Sequence, residues 1–228
     1  PSHCRQSRPG RIIMSPRIKI CGLTRADDIR LANELRVDMC GFVFFKASPR
    51  HLSDEQSAGL AGQCAPFVER VVLLVDPDDD ALDRAIGAVS PHRVQLHGRE
   101  TPTRVAEIKR RTQRLIIKAL GVATADDLKN AQAYEGVADW FLFDAKPPDD
   151  GLPGGNGEAF DWQVLGAYAG ATPWLLAGGL TPDNVSQAVA KTRAPMGDVS
   201  SGVEAAPGEK DADLMRAFVD AAKQGHQA

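Results

Sequence analysis

Eight short β-rich runs, each followed by a stretch of helical character, constrain this chain more than any other feature. They are RIKI at 17–20, MCGFVFF at 39–45, RVVLLV at 70–75, HRVQL at 92–96, RLIIKAL at 114–120, WFLFD at 140–144, PWLLA at 173–177 and MGDVS at 196–200. Strands that alternate with helices are joined by crossovers, so they run parallel and bury both faces. Two architectures meet that demand, an open doubly wound sheet and a closed barrel. The open sheet calls for a G-x-G-x-x-G turn after the first strand; here that turn is Cys21-Gly22-Leu23-Thr24. The glycine-rich turns come late, after the sixth, seventh and eighth runs. The expected fold is therefore α/β, a single-domain (β/α)8 TIM barrel of eight parallel strands.

Helix starts support the alternation. Thr24-x-x-Asp27, Ser53-x-x-Gln56 and Thr124-x-x-Asp127 set a hydroxyl at the N-cap and a polar group three residues on. Thr101-Pro102 and Thr181-Pro182 put proline at the first helical position. A last helix is expected from Lys210 to Lys223, with Leu214, Ala217, Phe218 and Ala221 on one face. Length agrees as well: 228 residues, 43% of them hydrophobic, suit one such barrel and argue against disorder.

Residues 1–13 carry three arginines, two prolines and no acid. They are expected to be an extension outside the fold or a misassigned start, with the barrel domain spanning 14–228. The rival reading, a targeting peptide, lacks an apolar or amphipathic segment. Losing those arginines would take the net charge from −3 to −6. No basic block interleaves with aromatics, so nucleic acid is not an expected partner. No apolar run nears the roughly 20 residues of a membrane span. Cys4, Cys21, Cys40 and Cys64 form no C-x-x-C pair, and no histidine spacing suggests a metal site. Reduced thiols in a cytoplasmic protein are expected.

Strand parity places the chemistry. In a barrel, active-site groups come from the C-terminal ends of strands, and side chains alternate faces with period two. Ile18 and Ile20 face outward, so Lys19 and Cys21 face the barrel axis. Gln95 and His97 do the same beside outward Val94 and Leu96; Asp144 ends a strand whose Phe141 and Phe143 face outward, and Asp198 shares a face with Ser200. Each alone has a plain structural reading: Cys21 as a small core hydrophobe, His97 closing a turn, Asp144 capping a loop. Six inward polar groups at one end are harder to explain so, since an unpaired buried polar group costs about 1–3 kcal/mol. Ala177-Gly178-Gly179 and Ser200-Ser201-Gly202 follow the seventh and eighth runs, the usual phosphate position of such barrels. Gly154, Gly155 and Gly157 suggest a flap over the mouth, or a plain flexible loop.

Lys19-Ile20-Cys21-Gly22-Leu23-Thr24, Ser48-Pro49-Arg50, Gln95-Leu96-His97-Gly98, Phe160-Asp161-Trp162, Leu176-Ala177-Gly178-Gly179-Leu180 and Asp198-Val199-Ser200-Ser201-Gly202-Val203-Glu204 occur in this order. Together they resemble the phosphoribosylanthranilate isomerase family of tryptophan biosynthesis, over essentially residues 17–220. The resemblance implies an Amadori rearrangement of N-(5-phosphoribosyl)anthranilate to 1-(2-carboxyphenylamino)-1-deoxyribulose 5-phosphate, with no metal or organic cofactor and a phosphosugar as small-molecule partner. It implies Cys21 as general base and Asp144 as general acid. It places Arg50 against the anthranilate part, Gln95, His97 and Asp198 in the pocket, and Gly178, Gly179, Ser201 and Gly202 on the phosphate. Lys19 is expected to line the pocket and favour the Cys21 thiolate. Asn156, where the family's flap has serine or threonine, and Gly197, where an apolar residue is usual, depart from the pattern. An indole-glycerol-phosphate synthase-like lyase would need a lysine and glutamate set that these strand ends do not offer. A non-catalytic sugar-phosphate-binding barrel would keep the late glycine turns without needing Cys21 or Asp144. Oligomeric state is left open.

Overall fold

The computed structural model describes residues 16–146 and 161–225. The supposed extension and the flap residues Gly154, Gly155, Asn156 and Gly157 lie outside the described residues. The chain runs β1 (Arg17–Cys21), α1 (Ala26–Glu34), β2 (Met39–Phe44), α2 (Asp54–Ala61), β3 (Glu69–Leu74), α3 (Asp79–Val89), β4 (Arg93–Leu96), α4 (Pro102–Thr112) and β5 (Leu115–Val122). It continues through β6 (Trp140–Ala145), β7 (Trp174–Leu176), α5 (Val185–Thr192), β8 (Met196–Val199), β9 (Glu204–Ala206), β10 (Glu209–Lys210) and α6 (Ala212–Gly225). Strands β1 to β8 pair in sequence order and all in parallel, and β8 closes on β1 with Asp198 opposite Lys19. Strands β9 and β10 form a separate antiparallel hairpin beyond the barrel.

Two expected helices are 3-10 segments instead, at Asp127–Tyr134 after β5 and Trp162–Ala167 before β7. Their buried residues explain why: Leu128 and Ala131 in the first, Trp162 and Leu165 in the second, each pair spaced by three. That period matches the 3-10 helix, which rises about 2.0 Å per residue against about 1.5 Å for the α-helix. The eight residues of the first segment therefore span about the length of an eleven-residue α-helix such as α3 or α4.

Helix starts mostly follow the sequence. Ser53 and Gln56 form a complete capping box, and Thr101 caps α4 with Pro102 at its first turn. Three expectations need correction. Arg25, not Thr24, precedes α1, and Thr24 Oγ1 donates to the Gly208 carbonyl at 2.5 Å. Helix α5 begins after Asn184, whose side chain accepts from the Thr181 amide. Helix α6 begins at Ala212, where Asp211 accepts from the Asp213 and Leu214 amides, leaving Lys210 on β10. The Thr124 turn forms, with Asp127 accepting from the Ala123 and Thr124 amides, but it leads into a 3-10 segment.

Parity holds around the barrel. Ile18, Ile20, Val94, Leu96, Phe141 and Phe143 join the outer core under the helices. Met39, Val71, Ile117, Ala119, Leu142, Leu175, Ala177 and Met196 fill the axis. At the N-terminal end of the strands, Glu69 pairs with Arg93 and, at 3.2 Å, with Arg17, and both guanidiniums lie over the Trp140 ring. The axis is thus closed below by charge and above by the polar groups of the mouth.

Candidate active site

The first strand carries the nucleophilic group. Cys21 ends β1 facing the axis and is 4% exposed. Gly41, its partner on β2, makes room: a Cβ there would lie 2.8 Å from Cys21 Sγ and 3.0 Å from Cys21 Cα. Lys19, fully buried one turn of the pleat below, donates to Asp198 Oδ1 at 2.8 Å, and its ammonium lies close enough to Cys21 for the two to shift each other's titration. Burial alone would lower the Lys19 ammonium, but Asp198 and Cys21 outweigh it and hold it above its usual value. Burial pushes the Cys21 thiol up, and Asp198 adds to that; Lys19 and Lys210 pull it down without prevailing. Lys19 acts on the thiol in the direction expected of it, but burial is the larger influence and the thiol lies above its usual value.

A second chain of groups crosses the mouth from β4 to β6. Fully buried Gln95 donates through its amide nitrogen to His97 Nδ1 at 3.0 Å. The proton then sits on His97 Nε2, which is 3.3 Å from Asp144 Oδ2. Asp144 Oδ1 accepts from the Ala145 amide at 2.9 Å. Gln95 Oε1 is buried without a partner among the described residues. Asp144 and Cys21 stand three strand steps apart by the shorter way round, from β6 through β7 and β8 to β1. A small molecule at the mouth can therefore meet a carboxyl on one side and a thiol on the other.

The turns after β7 and β8 meet each other. Gly178 and Gly179 adopt φ of +82° and +63°, a region that side chains disfavour. Gly202 follows Ser201 in a short 3-10 turn, and a Cβ there would stand only 1.8 Å from the Leu180 carbonyl oxygen. Asn184 ties the first turn down by donating to the Gly179 carbonyl. All four expected phosphate residues thus lie on two abutting turns, with backbone exposed by small side chains.

Arg50 is held by partners that strand parity does not reveal. Its Nε and Nη2 donate to the two oxygens of Glu204, each at 2.7 Å. Lys210 Nζ donates to the same Glu204 at 2.7 Å and to the Ser200 carbonyl at 3.0 Å. Burial would raise Glu204, but Arg50 and Lys210 hold it below its usual value; burial drives Lys210 down despite Glu204. The signal that could have found Lys210 is Asp211, an N-cap residue one place later, which moves the helix start past the lysine.

Lys118 and Glu100 also form a buried pair, at 2.8 Å, but Lys118 alternates with inward Ile117 and Ala119 and so lies outside the axis. It offers no lysine to a lyase. Among the described residues no three His, Cys, Asp or Glu side chains gather as a metal site, and no helix is long and apolar enough to cross a membrane.

The family model described as N-(5'phosphoribosyl)anthranilate (PRA) isomerase matches residues 18–221. The N-(5'-phosphoribosyl)anthranilate isomerase of Paracoccus denitrificans (strain Pd 1222) is 52% identical, covering 90% of this chain and 96% of that protein. The crystal structure of phosphoribosyl anthranilate isomerase from Thermus thermophilus superposes with a TM-score of 0.80 at 32% identity, covering 90% of this chain and 97% of that one. A phosphoribosyl anthranilate isomerase in complex with reduced 1-(o-carboxyphenylamino)-1-deoxyribulose 5-phosphate gives 0.76 at 33% identity, covering 91% and 98%. Fold and relatives define the class, a (β/α)8-barrel isomerase. The chain belongs to the N-(5'-phosphoribosyl)anthranilate isomerase family, enzymes of tryptophan biosynthesis.

Proposed function

We propose that this isomerase performs its Amadori rearrangement with Asp144 as general acid and Cys21 as general base. The observation that carries the assignment is the placement, across one barrel mouth, of a carboxyl 3.3 Å from His97 Nε2 and a buried thiol beside the Lys19 ammonium. As the acid, Asp144 gives its proton to the furanose ring oxygen. The C1–O bond breaks, and the nitrogen lone pair forms the C1=N bond of a cationic Schiff base. The His97 Nε2–H then donates to the carboxylate left on Asp144. The Cys21 thiolate removes the proton from C2, and that electron pair becomes the C1=C2 bond as the nitrogen regains its lone pair. Proton return to C1 and loss of the C2 hydroxyl proton give the ketone. The adjacent cation and the Lys19 and Lys210 ammoniums favour the thiolate at the moment it is needed.

The phosphate docks on Gly178, Gly179, Ser201 and Gly202, whose backbone amides offer donors without net charge. Arg50 meets the anthranilate carboxylate, and Gln95 and Asp198 line the sugar. A phosphosugar is accordingly the small-molecule partner. The cytoplasm suits a base that must stay a free thiol.

Cys21→Ala and Asp144→Asn test the roles. Each is expected to lower kcat by about 10²- to 10⁴-fold while a reduced product analogue still binds. Near-normal turnover in either variant removes that residue from the mechanism.

A further inference from the structure

Beside Cys21 runs a buried ion-pair chain of which only the far end, Lys210, bears on the base; the acid-base chemistry leaves Glu204 and its grip on Arg50 unexplained. Lys210, Glu204 and Arg50 have side chains that are 0%, 5% and 11% exposed, and each bonds the next at 2.7 Å. Burying three charges is costly, and an apolar tie between a hairpin and a barrel would serve stability as well or better. The chain has been built around instead. A Cβ at Gly22 would fall 2.4 Å from Arg50 Cδ, so only glycine lets the arginine cross β1's end to reach Glu204. The hairpin is fastened to the same loop, with Thr24 donating to the Gly208 carbonyl and Arg25 to the Lys210 carbonyl. A guanidinium is a rigid fork of five donors. Glu204 takes its Nε/Nη2 edge, while Nη1 makes no hydrogen bond among the described residues. Fixing one edge of a planar group fixes the direction of the other.

We propose that Glu204 and Lys210 are positioning residues that hold Arg50 by one edge and present its free edge to the aromatic carboxylate of the substrate. This rests on the reading of Arg50 as the anthranilate contact. Glu204 orients the fork, and Lys210 keeps Glu204 in place from the side away from Arg50. The network thereby sets specificity for a carboxylated aniline over a plain one, without touching the reacting carbons.

The test compares kcat/KM for phosphoribosylanthranilate with that for the phosphoribosylaniline lacking the carboxylate. Glu204→Gln is expected to lower the ratio about tenfold, within the coupling found inside one ion-pair network, through KM for the carboxylated substrate. Turnover of the aniline compound should hold. The double variant Glu204→Gln/Lys210→Met removes one acid and one base together, so no ammonium is left buried alone; it should show the same loss of the ratio, because the missing Lys210 charge beside Cys21 lowers turnover of both substrates alike. In an Arg50→Met background neither change should lower the ratio further. An unaltered ratio in the folded variants overturns the proposal. An unaltered ratio in Arg50→Met itself overturns the reading of Arg50, a distinguishable result. If the variants do not fold, nitrogen NMR of the Arg50 Nε–H in the wild-type protein decides. Its hydrogen bond to Glu204 should persist when the reduced product analogue binds; its loss would make Glu204 a competitor for Arg50 and sink the idea.

Discussion

At the scale of single residues, charge and burial contend over one thiol. Cys21 is buried, and burial favours its neutral form; Asp198 pushes the same way, whereas Lys19 and Lys210 oppose both. With the thiolate as the proposed base, kcat/KM should climb with pH on a limb set by Cys21. Two substitutions then act with opposite signs. Lys19→Met removes the strongest opposing charge and exposes Cys21 to Asp198, so the limb moves to higher pH. Activity at neutral pH should fall by about tenfold or more. Asp198→Asn removes a raising charge, so the limb moves to lower pH, whatever happens to kcat at the plateau. Both limbs moving together would show that packing, and not charge, sets the thiol. The sequence showed which residues face the axis, because parity needs only the spacing of Lys19, Cys21, Gln95, His97 and Asp198. It could not show which side of the balance wins, since burial depends on all eight strands.

At the scale of elements, the turns after β7 and β8 work as one piece. Gly202 carries no positive φ, so alanine fits its backbone; what forbids alanine is the Leu180 carbonyl 1.8 Å from the added carbon. Gly202→Ala must part the two turns. KM should rise by about tenfold, from roughly 1.4 kcal/mol of lost phosphate contact, with a smaller change in kcat. Gly197 is the contrast. In β8 the nearest atom to an added Cβ is Leu180 Cδ1 at 3.9 Å, so Gly197→Ala meets no clash. It should leave KM unchanged and hold or raise thermal stability, since glycine in a strand carries an entropic cost of about 0.5–1 kcal/mol. A large KM change in Gly197→Ala would mean that the turns sense strand packing, not mutual contact. The same scale shows why two 3-10 segments look α-helical in the sequence. Leu128 with Ala131, and Trp162 with Leu165, carry a spacing of three that fits an α-helix for one turn and departs from it only over longer runs. The β9–β10 hairpin escaped for another reason. Its strands are three and two residues long, too short for any period to register.

At the scale of the whole molecule, parallel strands divide the barrel into two ends with different work. The mouth holds glycines at positive φ and a buried thiol, whereas the opposite end holds Arg17, Glu69 and Arg93 against Trp140. In such barrels the N-terminal face serves stability and the C-terminal face chemistry. Arg93 is the pivot below: its guanidinium is 6% exposed and bonds Glu69 through two nitrogens. Arg93→Met should cost about 2–3 kcal/mol, less than a fully buried pair because Glu69 keeps Arg17 and some water. For a domain of this size that is a fall in Tm of about 4–12 °C, with kcat and KM unchanged. Acid should act through its partner, Glu69. Burial would raise Glu69, but Arg93 and Arg17 hold it below the usual glutamate value of 4.5. A carboxyl lowered by folding contributes stability that is full above the unfolded value and is lost as pH falls through the folded one. Wild-type Tm should therefore drop as the pH is taken below 4.5, and in Glu69→Gln that part of the drop should vanish along with the stability behind it. An acid profile of Glu69→Gln that parallels the wild type would place the acid-sensitive groups elsewhere and leave the lower end of the barrel held by packing on Trp140 alone.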